Sequence, residues 1–155
     1  MPYKRIKMKL IKRKEQKEIM KKLDEQFGIK NLPGILLRFG REKMRLYTGN
    51  LNPDEVKDID RNFNLETAGI YFLKEEKGEL RISFDSLYLF KDKITENILE
   101  VDDKEAIEWL KGNDLNIQTT KGMKVIKHED KLLGCGKSTG EDIKNFVPKE
   151  RRIRV

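Results

Sequence analysis

The sequence has little of what disulfide, metal or membrane chemistry requires. Its one cysteine, Cys135, excludes an internal disulfide, and its one histidine, His128, excludes a Cys/His cluster for zinc. No apolar run approaches the roughly 20 residues of a membrane-spanning helix, and the charged N-terminus lacks the apolar core of a signal peptide. We therefore expect a cytoplasmic protein without a membrane partner or a metal site.

Motifs of catalysis are also missing. No Gly-x-Gly-x-x-Gly follows a predicted strand, which argues against the nucleotide-binding unit of a methyltransferase. The Gly-Lys-Ser triplet at 136–138 is no phosphate-binding loop, because that motif needs a glycine where Lys131 stands. Cys135 lies between two glycines, and nothing places His128 beside it, so a small strand residue is favoured over a nucleophile. We expect no enzyme activity and no cofactor.

Charge, in contrast, is abundant and unevenly distributed. Charged residues make up 39% of the chain and hydrophobic residues 37%, with a net charge of +7. Residues 1–22 hold ten Lys or Arg against two acids, residues 121–155 hold ten against five, and the middle is acidic. Two basic ends around an acidic middle are typical of a protein that attracts a polyanion. A thermally stable surface rich in Lys and Glu would have the same composition.

The first ninety residues alternate between strand and helix patterns. Apolar and basic residues alternate over Tyr3–Ile11, which predicts a strand whose basic face either protects a sheet edge or contacts nucleic acid. A helix is predicted from Arg13 until Gly28 ends it. The other predicted elements are a hairpin at 35–47, a helix capped by Asn52, a hairpin at 68–84 and a strand at 87–90. We expect an α+β domain over residues 1–92.

Residues 93–155 follow a polar turn and have the pattern of a small, partly closed β-barrel. The predicted elements are a strand at 98–101, a helix from a capping box at 102–105 to Gly112, and strands at 115–117, 123–127 and 131–137. Ala106, Ile107 and Leu110 are expected to face the core. Trp109 lies beside them, and for it a core position is favoured over base stacking.

The C-terminal part also resembles a known family. The resemblance to the PUA domain, an RNA-binding module of pseudouridine synthases and archaeosine transglycosylases, rests on VDDKEAIEWLKGNDL at 101–115 and GMKVIKHEDKLLGCGKS at 122–138. The tail IKNFVPKERR at 143–152 looks like the end of the PUA-like domain of Sun-family RNA 5-methylcytosine methyltransferases. Upstream, residues 39–51 and 65–90 look like the pre-PUA domain of ribosome-biogenesis factors.

The resemblance implies an RNA contact formed by the Lys111-Gly112 turn, a glycine-containing strand and the basic C-terminus. Glycines at alternate strand positions remove side chains from one face, so we expect Gly134 and Gly136 to form an open ledge for a nucleic acid strand. Lysines and arginines beside it would pair with phosphates. The implied RNA-binding residues are Lys111, Gly112, Gly134, Gly136, Lys137, Lys144, Asn145, Lys149, Arg151 and Arg152.

Two alternatives remain open at this point. Lys144 and Asn145 fit an RNA contact and equally fit a solvated lysine and a turn-holding asparagine. The expected function is that of a non-enzymatic RNA-binding protein for structured ribosomal or transfer RNA, in ribosome biogenesis or RNA modification. The other possibility is a protein-interaction subunit of an RNA methyltransferase or assembly factor, in which RNA contact is incidental.

Overall fold

The computed structural model describes residues 8–63 and 69–154, and within these ranges the protein is an α+β structure with two β-sheets. Residues 3–7 of the predicted N-terminal strand and residue 68 of the second predicted hairpin lie outside the described residues. None of the described helices is long and apolar enough to cross a membrane.

The first sheet has the strand order β1-β2-β3-β4-β5, and all its pairs are antiparallel. Its strands are β1 (Met8–Leu10), β2 (Ile35–Phe39), β3 (Lys43–Tyr47), β4 (Ile70–Glu76) and β5 (Glu79–Ile82). Both predicted hairpins are therefore confirmed, as β2-β3 and β4-β5. A bulge after Met44 shifts the register in which β3 pairs with β4.

Two helices flank these strands, α1 (Arg13–Phe27) and α2 (Pro53–Phe63). The end of α1 is the predicted one, because Gly28 adopts a left-handed φ of 74° and its N–H donates to a carbonyl of the last turn. The start of α2 is also confirmed. Asn52 Oδ1 accepts a hydrogen bond from the Glu55 N–H at 2.9 Å, and the Glu55 side chain accepts one from the Asn52 N–H.

The strand predicted at 87–90 is wrong, because Phe84–Phe90 forms a 3-10 helix. Its turn is fixed by Ser83, whose hydroxyl donates to the Tyr71 carbonyl at 2.6 Å and lies 2.8 Å from the Ser86 hydroxyl, from which it can accept. Residues three apart share a face of a 3-10 helix, so Leu87 and Phe90 both enter the core. The short apolar run misled the prediction because strand and helix periods are hard to separate over four residues.

The second sheet has the order β6-β7-β8-β9, with β6 parallel to β7 and the other pairs antiparallel. Its elements in chain order are β6 (Ile98–Glu100), α3 (Asp103–Leu110), β7 (Gly122–His128), β8 (Lys131–Ser138), β9 (Ile143–Asn145) and a second 3-10 helix (Lys149–Arg151). The strand predicted at 115–117 is reduced to a single bridge between Leu115 and Ile143. The outer strands β6 and β9 are not paired with each other in the described ranges, so the sheet is open there.

The two faces of the second sheet pack into different hydrophobic clusters. One cluster joins α1 and the first sheet to Met123, Val125 and Cys135 of the second sheet. The other lies under α3 and includes Ile126 and Ile143. The division between residues 1–92 and 93–155 stays a prediction, and the first cluster draws apolar side chains from both ranges.

Helix α3 begins at the predicted capping box, since the Asp102 side chain accepts from the Glu105 N–H and the Glu105 side chain accepts from the Asp102 N–H. The core position of Trp109 is confirmed, because the ring is fully buried and its Nε1 donates to the Leu133 carbonyl at 2.7 Å. The core position predicted for Ile107 is wrong, because that side chain is 47% exposed. Ala106 and Trp109 are three residues apart and define the buried face, which leaves Ile107 beside it.

Candidate RNA-binding surface

The open ledge predicted at Gly134 and Gly136 is wrong, because both glycines are buried. A Cβ on Gly136 would lie 2.5 Å from the Trp109 ring, and one on Gly134 would lie 3.2 Å from the Phe84 ring. The missing side chains admit the rings of the protein's own aromatic residues, and these rings fill the space that a nucleic acid strand would need. Neither glycine is available for the close approach that the sequence suggested.

The Lys111-Gly112 turn and Arg152 lie next to each other, and the contact between them is a packing contact within the protein. Gly112 has a left-handed φ of 97°, and a Cβ there would lie 2.5 Å from Arg152 Nε. Arg152 Nε also donates a hydrogen bond to the Val147 carbonyl at 3.1 Å. Lys111 Nζ lies 3.4 Å from the Glu108 carboxylate. The side chain of Arg152 therefore fastens the C-terminal segment to the end of α3.

Asn145 holds a turn, which was one of the two readings of this residue. Its Nδ2 donates to the Trp109 carbonyl at 2.7 Å and to the Asn113 carbonyl at 2.9 Å, while its Oδ1 accepts from the Val147 N–H. Lys144 is exposed and lies between two carboxylates, at 2.9 Å from Asp142 and 3.5 Å from Asp114. The hydrogen bond to Asp142 and the charge of that carboxylate raise the pKa of Lys144.

Two of the three remaining predicted cations, Arg151 and Lys137, lie beside acidic side chains. Arg151 Nε is 3.0 Å from Asp85, and Lys137 Nζ is 3.0 Å from Glu79 Oε2 in an ion pair without hydrogen-bond geometry. Lys149 is exposed and has no ion pair with any residue that the structure describes. The Arg151–Asp85 pair is exposed, and exposed ion pairs contribute only about 0–1 kcal/mol, so a phosphate can replace the Asp85 carboxylate there.

A cleft of about 320 Å³, which the sequence did not predict, opens between the two sheets beside the second 3-10 helix. Its walls carry two cations that lie over aromatic rings. The Arg81 guanidinium is 4.4 Å from the Phe146 ring centroid, and Lys43 Nζ is 5.3 Å from the Tyr71 ring centroid. Burial raises the pKa of the Tyr71 hydroxyl, although the Arg81 charge opposes the shift.

These cleft residues were missed because they come from separate strands and from the segment after β9. Their only signal in the sequence was the alternation of basic and apolar residues in β3 and the single Arg81 in β5. Lys43, Lys74 and Arg81 lie at paired positions across β3, β4 and β5, so the three cations form a row across the sheet. Such a row depends on strand register, which a single sequence does not provide.

The two remaining reactive side chains do not form a catalytic pair. Cys135 is buried, and desolvation raises the pKa of its thiol to about 12, so it carries almost no thiolate at neutral pH. His128 ends β7 and lies 2.6 Å from Asp103, which is itself exposed. Asp103, His128 and Glu129 lie close enough to share a cation, and exposed acids are common without one.

Comparison with known proteins supports the resemblance found in the sequence. Residues 96–153 match the family model of the methyltransferase RsmF PUA domain. Proteins named ribosomal RNA small subunit methyltransferase F match most of the chain, with 27% identity over 145 residues in Psychromonas ingrahamii and 25% over 140 residues in Aeromonas salmonicida. These matches cover 89% and 88% of this chain but only 29% and 28% of the relatives, so the chain spans less than a third of their length. Residues 96–153 are therefore similar to the RsmF methyltransferase PUA domain, which supports the interpretation of this chain as a PUA-domain RNA-binding protein.

Proposed function

We propose that this chain is a non-enzymatic module that binds structured ribosomal or transfer RNA. The observation that carries the proposal is the match of residues 96–153 to a PUA domain. We take the second sheet with α3 to be the PUA-like barrel expected from the sequence, preceded by a pre-PUA domain. The cytoplasm remains the compartment that the sequence predicts.

The RNA contact we propose is electrostatic and centred on Lys137, Lys149 and Arg151. These side chains reach solvent, and the Asp85 carboxylate that pairs with Arg151 is exposed and can be exchanged for a phosphate. Lys137 would keep its pair with the buried Glu79 Oε2 while it contacts a phosphate. Lys111 and Lys144 can add further phosphate contacts in the same way. Gly112, Asn145 and Arg152 act by holding the segments that carry these cations. Because the accessible groove of double-stranded RNA exposes little sequence, shape and phosphate contacts should dominate.

Ribosomal RNA is the first RNA to test, because the relatives are named as ribosomal RNA small subunit methyltransferases. A module that binds RNA without modifying it would either assist ribosome assembly or present RNA to a modifying enzyme. Cys135 is not proposed as a nucleophile, because it is buried and burial raises the pKa of its thiol to about 12.

The proposal is tested by titrating labelled ribosomal RNA fragments at several salt concentrations. Each phosphate contact should contribute about 0.7–0.9 to the slope of log affinity against log salt. The variant K149E/R151E reverses two exposed cations of the proposed contact, and K30E/K91E reverses two exposed lysines elsewhere and matches it in net charge. We expect the first variant to weaken binding and flatten the slope, and the second to change both much less. Equal effects of the two variants would refute a contact centred on the C-terminus.

The second candidate function is a protein-interaction subunit, and exposed apolar side chains favour it. Ile107 is 47% exposed and Ile153 is 38% exposed, and the Ile153 N–H donates to the Leu110 carbonyl at the end of α3. The backbone of Ile153 thus lies beside the end of the helix that carries Ile107. If the wild-type protein binds no RNA even at low salt, this candidate replaces the first.

A further inference from the structure

The cleft between the sheets presents two aromatic rings and two cations to the same space. Tyr71 and Lys43 belong to the first sheet, and Phe146 follows the last strand of the second sheet. Arg81 spans the two sheets, since it belongs to β5 and its guanidinium lies over the Phe146 ring at 4.4 Å. An aromatic surface with adjacent cations is the combination that binds unpaired nucleotides in proteins.

The position of Lys43 in this cleft is not explained by the pairing of charges in the sheet. Lys43 is paired with Lys74 across β3 and β4, and Lys74 with Arg81 across β4 and β5. Like charges directly opposite each other destabilise a sheet. Glu76 compensates part of this repulsion, at 2.9 Å from Lys74 and 3.8 Å from Arg81. Lys43 has no ion pair within the described ranges, so its charge is available to a ligand.

We propose that this cleft binds one unpaired nucleotide of the RNA, with the base against Tyr71 and Phe146 and a phosphate at Lys43 and Arg81. The inference rests on the proposed function and names a site within it. A cleft of about 320 Å³ is at the small end of the range of ligand pockets, which suits one nucleotide. Stacking on a ring tolerates any base, because every base has a π-face.

The acidic residues of the cleft give the nucleotide an orientation. Glu150 and Asp85 also line the cleft, and Asp85 is paired with Arg151. A carboxylate repels a phosphate and accepts hydrogen bonds from base amino groups. The phosphate is therefore directed to the side of Lys43 and the base edge to the side of Glu150. The ion pair of Arg151 joins this cleft to the proposed phosphate contact on the second 3-10 helix.

The test is photocrosslinking of a short single-stranded RNA that carries 5-iodouridine, followed by mass spectrometric mapping of the attached peptide. We expect the crosslink on Tyr71 or Phe146. The variants Y71L and K43A should each lower the affinity for this RNA, Y71L by about tenfold because it removes one stacking ring. The controls are Y88L, which removes a 71% exposed tyrosine outside the cleft, and K30A, which removes an exposed lysine outside it.

The possible results separate this inference from the proposed function. Crosslinks that map outside the cleft, with Y71L and K43A binding as tightly as the controls, would overturn the inference and leave RNA binding in place. A wild-type protein that binds no RNA would overturn both. Lys43 is exposed, so K43A keeps the test decisive if thermal melting shows that Y71L has lost its fold.

Discussion

Substituting Gly136 by alanine distinguishes the observed packing of β8 from the open ledge that the sequence suggested. The added methyl group would lie 2.5 Å from the Trp109 ring, 2.7 Å from Ile143 and 2.8 Å from the Lys144 carbonyl oxygen. The last of these contacts is with backbone, which cannot move away by changing a rotamer. If the ledge were open to RNA, the same methyl group would meet the ligand and no part of the protein.

The expected cost of this substitution follows from the three contacts. Overpacking a core destabilises a protein by about 1–3 kcal/mol, and the fixed backbone oxygen places G136A near 3 kcal/mol. For a protein of this length that corresponds to a decrease of roughly 6–12 °C in Tm. The control is G78A, where a Cβ would have no neighbour within 4 Å and only a left-handed φ of 81° opposes the substitution. We expect it to cost about 1–2 kcal/mol.

The assay combines thermal and urea unfolding, followed by circular dichroism, with RNA titration well below both melting temperatures. We expect G136A to be clearly less stable than G78A and to retain the RNA affinity of the wild type, because Gly136 is buried under Trp109. The reverse result, an unchanged Tm with a loss of RNA affinity, would mean that the face of β8 is open. In that case the packing described for Trp109 would be wrong.

Two further predictions concern side chains that the sequence left ambiguous. N145A should lower the free energy of unfolding by about 2–4 kcal/mol, because three side-chain hydrogen bonds worth about 0.5–1.5 kcal/mol each are lost. The salt slope of RNA binding should not change. A flatter slope with unchanged stability would make Asn145 an RNA contact. Burial raises the pKa of the Cys135 thiol to about 12. At pH 8 this thiol should therefore react with a thiol reagent more than a thousandfold more slowly in the native protein than in denaturant. Comparable rates in the two conditions would contradict its burial.

Local signals in the sequence predicted the ends of helices well. Gly28 and the capping boxes at Asn52 and Asp102 act within a few residues, so the sequence alone contains the geometry they need. The strand predicted at 87–90 is wrong because the turn before it depends on Ser83. The Ser83 hydroxyl bonds to the carbonyl of Tyr71 in β4, twelve residues earlier in the chain. The open ledge failed for the same reason, since Trp109 and Gly136 are distant in sequence and in contact in the fold.

The burial of Gly136 and the exposure of the cleft have a common physical origin. The glycines of β8 leave space for a flat group against the strand. Trp109 belongs to the same chain, so it is always present to occupy that space. An aromatic ring that buries about 150–250 Å² gains about 4–6 kcal/mol at 25 cal/mol per Å², so an internal ring fills such a surface permanently. We expect ligand sites where rings keep an open side, as the half-buried Tyr71 does beside a cation. Glycine spacing alone therefore indicates close packing, and only the fold tells whether the packed partner is the protein's own side chain or a nucleic acid.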